Sequence, residues 1–271
     1  MLKLDGKEIN IGSFPDGTRL LKEKVIIDRT AKIEWYYEND REFVALIFLT
    51  KHLRAHEVSD VHLFMPYIPN ARQDRVKTNE DVFTLKYFAE VINDLAFDSV
   101  TVLDPHSSVS EALISRIVIK NPKEYVQAVL TRIQQDEGET PLMFYPDEGA
   151  GKRYAEMMGL PYIFGIKKRD WKTGEIRGLD VAGEIEHVQG SNVLVVDDIC
   201  SKGGTFYFSA RKLKALGAKN IYLYITHCEN TILRGELLDS GLFTRIFTTN
   251  SIFTKEHSRI EVFDCGGVAN E

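Results

Sequence analysis

Apolar runs bounded by turn-forming residues alternate with stretches of helical period along most of the chain. This pattern predicts an α/β architecture built on largely parallel sheets. In the first half it predicts strands over 61–66 and 99–103 and helices over 83–95 and 110–118. Asn39 and Asp40 stand where they cap a helix running to about Leu53. A second series has strands over 142–145, 162–166, 192–196 and 220–225, with helices beginning near Gly149 and Thr205. Between the series, the polar and acidic stretch 134–140 reads as a linker. The predicted division is therefore 1–137, 138–255, and a tail 256–271 too short to fold alone that packs back on the body.

A chain of 271 residues has room for two such domains, and its 44% hydrophobic and 27% charged residues exclude collagen-like and disordered classes. The net charge of -6 argues against a nucleic-acid or membrane-surface partner, while leaving local phosphate sites open. The longest apolar run, 44–49, is too short to span a bilayer, and no basic-then-apolar leader opens the sequence, so a cytoplasmic location is expected. Cys200, Cys228 and Cys265 are odd in number and contain no CxxC, which fits neither a disulfide framework nor a zinc site. They read as small buried residues of a protein in a reducing compartment.

The strongest chemical signal is V-L-V-V-D-D-I-C-S-K-G-G-T at 193–205: an apolar strand, two acids, a glycine-bearing loop and a helix start. Strand ends of parallel sheets open onto ligand crevices, and a loop leading into a helix N-terminus presents N–H groups and positive dipole to phosphate. Asp197 and Asp198 are placed to face sugar hydroxyls beside that phosphate. A strand running into an acidic turn is the plain alternative, but it does not account for two acids and G-G-T at fixed offsets. Arg72 and Arg75 follow a strand, where guanidinium groups clamp phosphates, and Gln73 and Asp74 can hydrogen-bond a base or sugar; a solvated charged turn is the competing reading. His106 and Asp147 offer a nitrogen and an oxygen ligand, suited to Mg²⁺ only when phosphates and water complete the octahedron. Phe14 can stack on a base or belong to a core. Lys167 and Arg169 alternate on an extended segment, and the polar turn 171–175 after them can move as a lid.

The run at 193–205 resembles the phosphoribosyl-pyrophosphate-binding motif of type I phosphoribosyltransferases and of phosphoribosyl pyrophosphate synthetases, the ribose-phosphate pyrophosphokinases. Pro66, Tyr67 and then Ala71, Arg72, Gln73, Asp74 and Arg75 resemble the synthetase stretch P-Y-x-x-x-A-R-Q-D-R, which the transferases lack. Phe14, Asp16 and Gly17 resemble its F-x-D-G, Asp104 and His106 its D-x-H, and Pro146, Asp147 and Gly149 its P-D-x-G. Lys167 and Arg169 resemble its K-x-R, and Thr226 and His227 its T-H pair. The resemblance covers nearly the whole chain, in the family's order.

It implies two tandem type I phosphoribosyltransferase-like domains, an N-terminal one for ATP and a C-terminal one for ribose phosphate, with the active site between them. The implied activity is Mg²⁺-dependent transfer of the β,γ-diphosphate of ATP to the anomeric hydroxyl of ribose 5-phosphate, with AMP leaving. Lys167 and Arg169 would be catalytic; Phe14, Asp16, Arg72, Gln73 and His106 would hold ATP; His106 and Asp147 would engage the metal. Asp197 and Asp198 would orient the ribose, with Ser201, Lys202, Gly203, Gly204 and Thr205 holding the 5-phosphate. Because the family supplies Phe14 and its neighbours from an adjacent subunit, a homo-oligomer is implied, and nucleotide or NAD synthesis is the implied setting. Two departures bear on substrate choice. Ser201-Lys202 replaces an acid-bearing loop, losing an acid and gaining a base, which favours a monophosphate or admits a diphosphate-bearing ribose such as ADP-ribose. Thr18 stands where the family has Glu. A phosphoribosyltransferase and a non-catalytic sensor are the competing functions, and neither needs the ATP clamp together with K-x-R.

Overall fold

The computed structural model describes residues 1–23, 29–169 and 176–266, and the chain divides into two compact units, Met1–Asn121 and Pro122–Glu271. The first unit runs β1 (Leu2–Leu4), β2 (Lys7–Glu8), β3 (Ile11–Ser13), β4 (Arg19–Leu21), β5 (Thr30–Trp35), α1 (Asp40–Ala55), β6 (Asp60–Phe64), α2 (Thr84–Asp94), β7 (Ser99–Leu103), α3 (Val109–Leu113) and β8 (Ile117–Lys120). Its sheet has the order β2-β1-β5-β6-β7-β8. The β1 pairings are antiparallel, and β5 to β8 are parallel. Inward residues such as Ile33, Val61, Leu63, Val100 and Val102 are buried to 1% or less and meet Leu46, Leu49, Leu85 and Ile92 from α1 and α2. Each such aliphatic side chain removed from water contributes about 1.5–3 kcal/mol. Asn39 caps α1 as expected, accepting from Arg41 N.

The second unit runs α4 (Lys123–Glu137), β9 (Leu142–Tyr145), α5 (Glu148–Met158), β10 (Tyr162–Arg169), β11 (Ile176–Ala182), β12 (Val193–Cys200), α6 (Gly204–Ala215), β13 (Ile221–Cys228), α7 (Glu236–Asp239), β14 (Arg245–Thr249) and β15 (Ile260–Phe263). The order is β11-β10-β9-β12-β13-β14-β15, parallel except for the antiparallel β11 edge. Residues 193–196 of β12 and 221–228 of β13 are buried, as continuous apolar runs must be when helices cover both faces.

Three sequence expectations change. The helix expected over 110–118 is only the one-turn α3, followed by β8. A turn separates them, with Ser115 N donating to Asn93 Oδ1 and the Arg116 guanidinium donating to Phe97 O, and the β-branched run Ile117-Val118-Ile119 favours a strand. The expected linker 134–140 is the last turn of α4 plus its cap, Gly138 at φ +80°. Helix α4 buries Tyr125, Val126, Val129 and Ile133 on one stripe, and its acids are anchored in the second unit, Glu137 by Tyr222 Oη at 2.7 Å and Lys219 Nζ at 3.1 Å. The division of the chain therefore falls at 121/122, ahead of α4, where 137/138 was expected. In the tail, 260–263 becomes β15 and pairs with β14.

Candidate functional site

In the second unit, the chain leaves β9 through α5 toward β10 on one side, and leaves β12 through α6 toward β13 on the other. This reversal of strand order, between two hydrogen-bonded parallel neighbours, opens a crevice at their carboxyl ends where α/β sheets bind ligands. Asp147 closes β9 and caps α5, its Oδ1 accepting from Ala150 N at 3.0 Å. Asp197 and Asp198 lie in the last half of β12. Asp198 is 3% exposed and accepts from Arg153 Nη1 of α5 at 2.9 Å, while its N–H donates to Asp197 Oδ1 at 3.0 Å. Burial, the adjoining Asp198 and the nearby Asp147 push the Asp197 carboxyl well above the ordinary carboxylate range. Three acids are thus gathered at one switch point, and Arg153 pairs with one of them.

The glycine loop follows directly. Gly203 takes φ +85° and opens α6, and a Cβ there would also lie 2.7 Å from Leu237, so both backbone and packing require glycine. Helix α6 begins one residue later, and its first N–H groups have no intrahelical acceptor. Ser201 Oγ donates to Glu229 Oε2 at 2.7 Å, and Lys202 is exposed. Beneath the loop, Cys200 and Cys228 are register partners on β12 and β13. Both are buried free thiols, and the Cys228 thiol together with burial pushes Cys200 up. His227, buried, is held by Ser251 Oγ at 2.8 Å.

In the first unit, Phe14 and Asp16 sit at the tip of the β3–β4 hairpin. Gly17 N donates to Phe14 O at 2.9 Å, with Pro15 second in the turn and Gly17 at φ +85°, the chemistry of a proline-led turn closed by a left-handed residue. Thr18, through its N–H at 3.0 Å and hydroxyl at 2.7 Å, donates to Asp16 Oδ1 and lowers its pKa. Phe14 is 49% exposed, so the reading of it as a core residue is overturned. Arg72 is exposed, and Gln73 accepts from Thr84 Oγ1 at 3.0 Å. Asp74 is not offered to a base or sugar. It is buried and accepts both arms of Arg75, at 2.8 and 3.0 Å, and Ser107 Oγ at 2.7 Å. The Arg75 fork, joined by Ser107 and opposed by burial, pulls its carboxyl down to about 2. Asp74 thereby fastens the loop after β6 to the loop after β7, which carries Asp104, at φ +42°, and His106.

No protein-family model matches the chain. A ribose-phosphate pyrophosphokinase of Pyrococcus abyssi is 31% identical over 268 residues, 94% of this chain and 88% of that protein. One of Thermococcus kodakarensis is 30% identical over 230 residues, 81% of this chain and 77% of its own length. The chain belongs to the ribose-phosphate pyrophosphokinase family. A crystal structure of phosphoribosylpyrophosphate synthetase from Mycobacterium smegmatis matches with a TM-score of 0.76 over 95% of this chain and 86% of that one, at 17% identity. It gives the expected fold, two largely parallel sheets flanked by helices. As a ribose-phosphate pyrophosphokinase, the chain is an ATP-dependent diphosphotransferase.

Within that family assignment, Lys167 and Arg169 fall on the last residues of β10, opposite Leu179 and Ile176 of β11, with a register shift between Lys168 and Arg169. Their side chains, and the turn 171–175, lie outside the described residues. Among the described residues no group of three His, Cys, Asp or Glu side chains is placed to cage a metal. Asp147, a hard oxygen donor beside Asp197, fits Mg²⁺ in the way such sites use it, one or two protein ligands with phosphate oxygens and water supplying the rest. No helix among the described residues is long and apolar enough to cross a membrane. The sequence reading missed Arg153 and Glu229. Arg153 meets its partner across 45 residues, and its only local trace is a cation on the first turns of the helix after P-D-x-G.

Proposed function

We propose that this ribose-phosphate pyrophosphokinase transfers the β,γ-diphosphate of Mg-ATP to the anomeric hydroxyl of ribose 5-phosphate, giving phosphoribosyl pyrophosphate and AMP. The observation that carries the reading is the acid pair Asp197-Asp198 running into the 201–205 loop at the β9/β12 switch point. A sugar bearing a terminal phosphate matches that order of groups. The loop N–H groups, the α6 N-terminus and Lys202 bind the phosphate, and the two carboxyls bind the hydroxyls of the ring. Asp197 and Asp198, the latter fixed by Arg153, can each accept from a ring hydroxyl. Phe14, Asp16, Arg72, Gln73 and His106 take the ATP. The exposure of Phe14 on a hairpin tip supports its use against a nucleobase, with homo-oligomerisation as part of the proposal.

The chemistry is positioning and charge neutralisation. The anomeric oxygen attacks the β-phosphorus as its hydroxyl proton passes to water, the bond from that phosphorus to the bridging α-phosphate oxygen breaks, and the electron pair leaves on AMP. Lys167 and Arg169 neutralise charge on the transferring group. Mg²⁺, held by Asp147 and His106 with the phosphates, would supply Lewis-acid neutralisation of the triphosphate. ADP-ribose is the second acceptor reading, supported by the exposed Lys202.

The test is product analysis with Mg-ATP and each acceptor in turn. One AMP per acceptor, and a mass gain of one diphosphate on ribose 5-phosphate, are expected. Gain only on ADP-ribose moves the acceptor to the second reading, and no transfer to either overturns the proposal. Lys167→Ala and Arg169→Ala should each lower kcat by about 10²–10³ with thermal stability unchanged; activity surviving both would remove their role.

A further inference from the structure

Glu229 stands directly after β13, on the strand next to the one that carries the acids and the loop. Its N–H donates to Cys200 O at 2.8 Å, which ties it to the residue before the loop. Its Oε2 accepts the Ser201 hydroxyl at 2.7 Å and the Thr231 hydroxyl at 2.9 Å, and the two hydroxyls lie 3.3 Å apart. The Ser201 proton has the Glu229 carboxylate and the Thr231 hydroxyl as its acceptors, so it is spent within this cluster. Ser201 thus enters the loop with its donor committed to the protein.

The chain after Glu229 stays against the loop. Gly235 passes so close to Lys202 that a Cβ there would lie 2.1 Å from the Lys202 carbonyl oxygen, and Leu237 packs under Gly203. Successive loop residues are therefore held by side-chain hydrogen bonds, by backbone approach and by apolar contact. The first of these is the charged one, and a hydrogen bond to a carboxylate is the strongest kind available for fixing a hydroxyl.

We propose that Glu229 is a positioning residue for acceptor binding: by holding Ser201 it presets the 201–205 loop for the acceptor's phosphate. The proposal rests on the reading of 201–205 as the acceptor-phosphate loop, and it makes loop order, rather than direct contact, the contribution of Glu229.

The experiment is steady-state kinetics with ribose 5-phosphate and Mg-ATP on Glu229→Ala, Glu229→Gln, Ser201→Ala and the double alanine variant. Glu229→Ala and Ser201→Ala should each raise the KM for ribose 5-phosphate roughly tenfold, leave the KM for ATP within about twofold, and combine with no further loss. Glu229→Gln should fall between, because an amide oxygen still accepts both protons without the charge. Additive effects, an equal rise in the KM for ATP, or an unchanged acceptor KM in Glu229→Ala would overturn the proposal. Where Glu229→Ala fails to fold, Ser201→Ala and Glu229→Gln, which preserve the packing, carry the same prediction. Lys202→Ala and Thr205→Ala separate the two levels. If they raise the acceptor KM while the Glu229 and Ser201 variants do not, only this proposal fails; if none of the four raises it, the loop reading fails with it.

Discussion

In Met1–Asn121 the parallel strands add in one direction, β5 to β8, whereas in Pro122–Glu271 their order reverses between β9 and β12. The reversal leaves a crevice, and there desolvation, together with neighbouring carboxyls that crowd one another, raises Asp197. In the first unit the corresponding buried acid, Asp74, is surrounded by donors and pulled down to about 2. One carboxyl is fitted to its partners, and the other sits beside two further acids, a setting that the proposed binding of a polyhydroxylated ligand would relieve. Perturbation of the second kind marks a binding site, and perturbation of the first kind marks a fastener.

The largest effect in this comparison is expected at Arg153. Arg153→Ala leaves Asp198 buried without its guanidinium, and should cost about 2 kcal/mol, below the roughly 3–5 kcal/mol of a fully buried pair because the Arg153 side chain is 31% exposed. Denaturant unfolding measures it, and an unchanged midpoint would show that the pair does not brace the acids. Asp74→Ala should cost less, about 1–2 kcal/mol, mostly through the Ser107 hydrogen bond, since Arg75 is exposed. Here the pH dependence gives the sharper reading. The folded carboxyl titrates at about 2 and the unfolded one near 3.8, so its stabilisation is complete above the unfolded value and is lost as pH falls toward 2. The gap between the wild type and Asp74→Ala should narrow over that interval in acid titrations; a constant gap would contradict the assignment. The smallest effect is at Thr18→Ala, which removes one of two bonds to the exposed Asp16. It should leave thermal stability unchanged and raise the KM for ATP only slightly; a large loss of stability would mean that the hairpin tip is part of the core structure.

The sequence shows the parts of the site that are local and hides those that are not. The strand 193–196, its two acids and the loop into α6 are legible because an apolar run, a charge pair and a left-handed glycine follow one another within a few residues. The F-x-D-G hairpin is legible for the same reason. Asp74, read as a hydrogen-bonding group for a base or sugar, is misread because its structural partner Ser107 comes from another loop. Arg153 and Glu229 act across 45 and 28 residues, and no pattern near either one announces its partner. The fold shows the same division. Helix α4 hides in a polar stretch whose apolar stripe is narrow, and β8 is masked by apolar spacing at 110–118 that fits a helix until the turn at Ser115-Arg116 interrupts it.

The central claim is that Asp197 is kept in an unfavourable setting for the sake of ligand binding, and Asp197→Asn tests it most directly when stability and turnover are measured on the same preparation. At neutral pH the amide removes a half-buried charge crowded by Asp198 and Asp147, so the variant should unfold at higher denaturant than the wild type while kcat/KM for ribose 5-phosphate falls by about 10². Because the folded pKa of Asp197 is raised, the wild type regains stability as pH drops, and the difference between the two should close toward the ordinary carboxylate value of 3.8. A variant that is less stable at neutral pH, or one that keeps full turnover, would contradict the account.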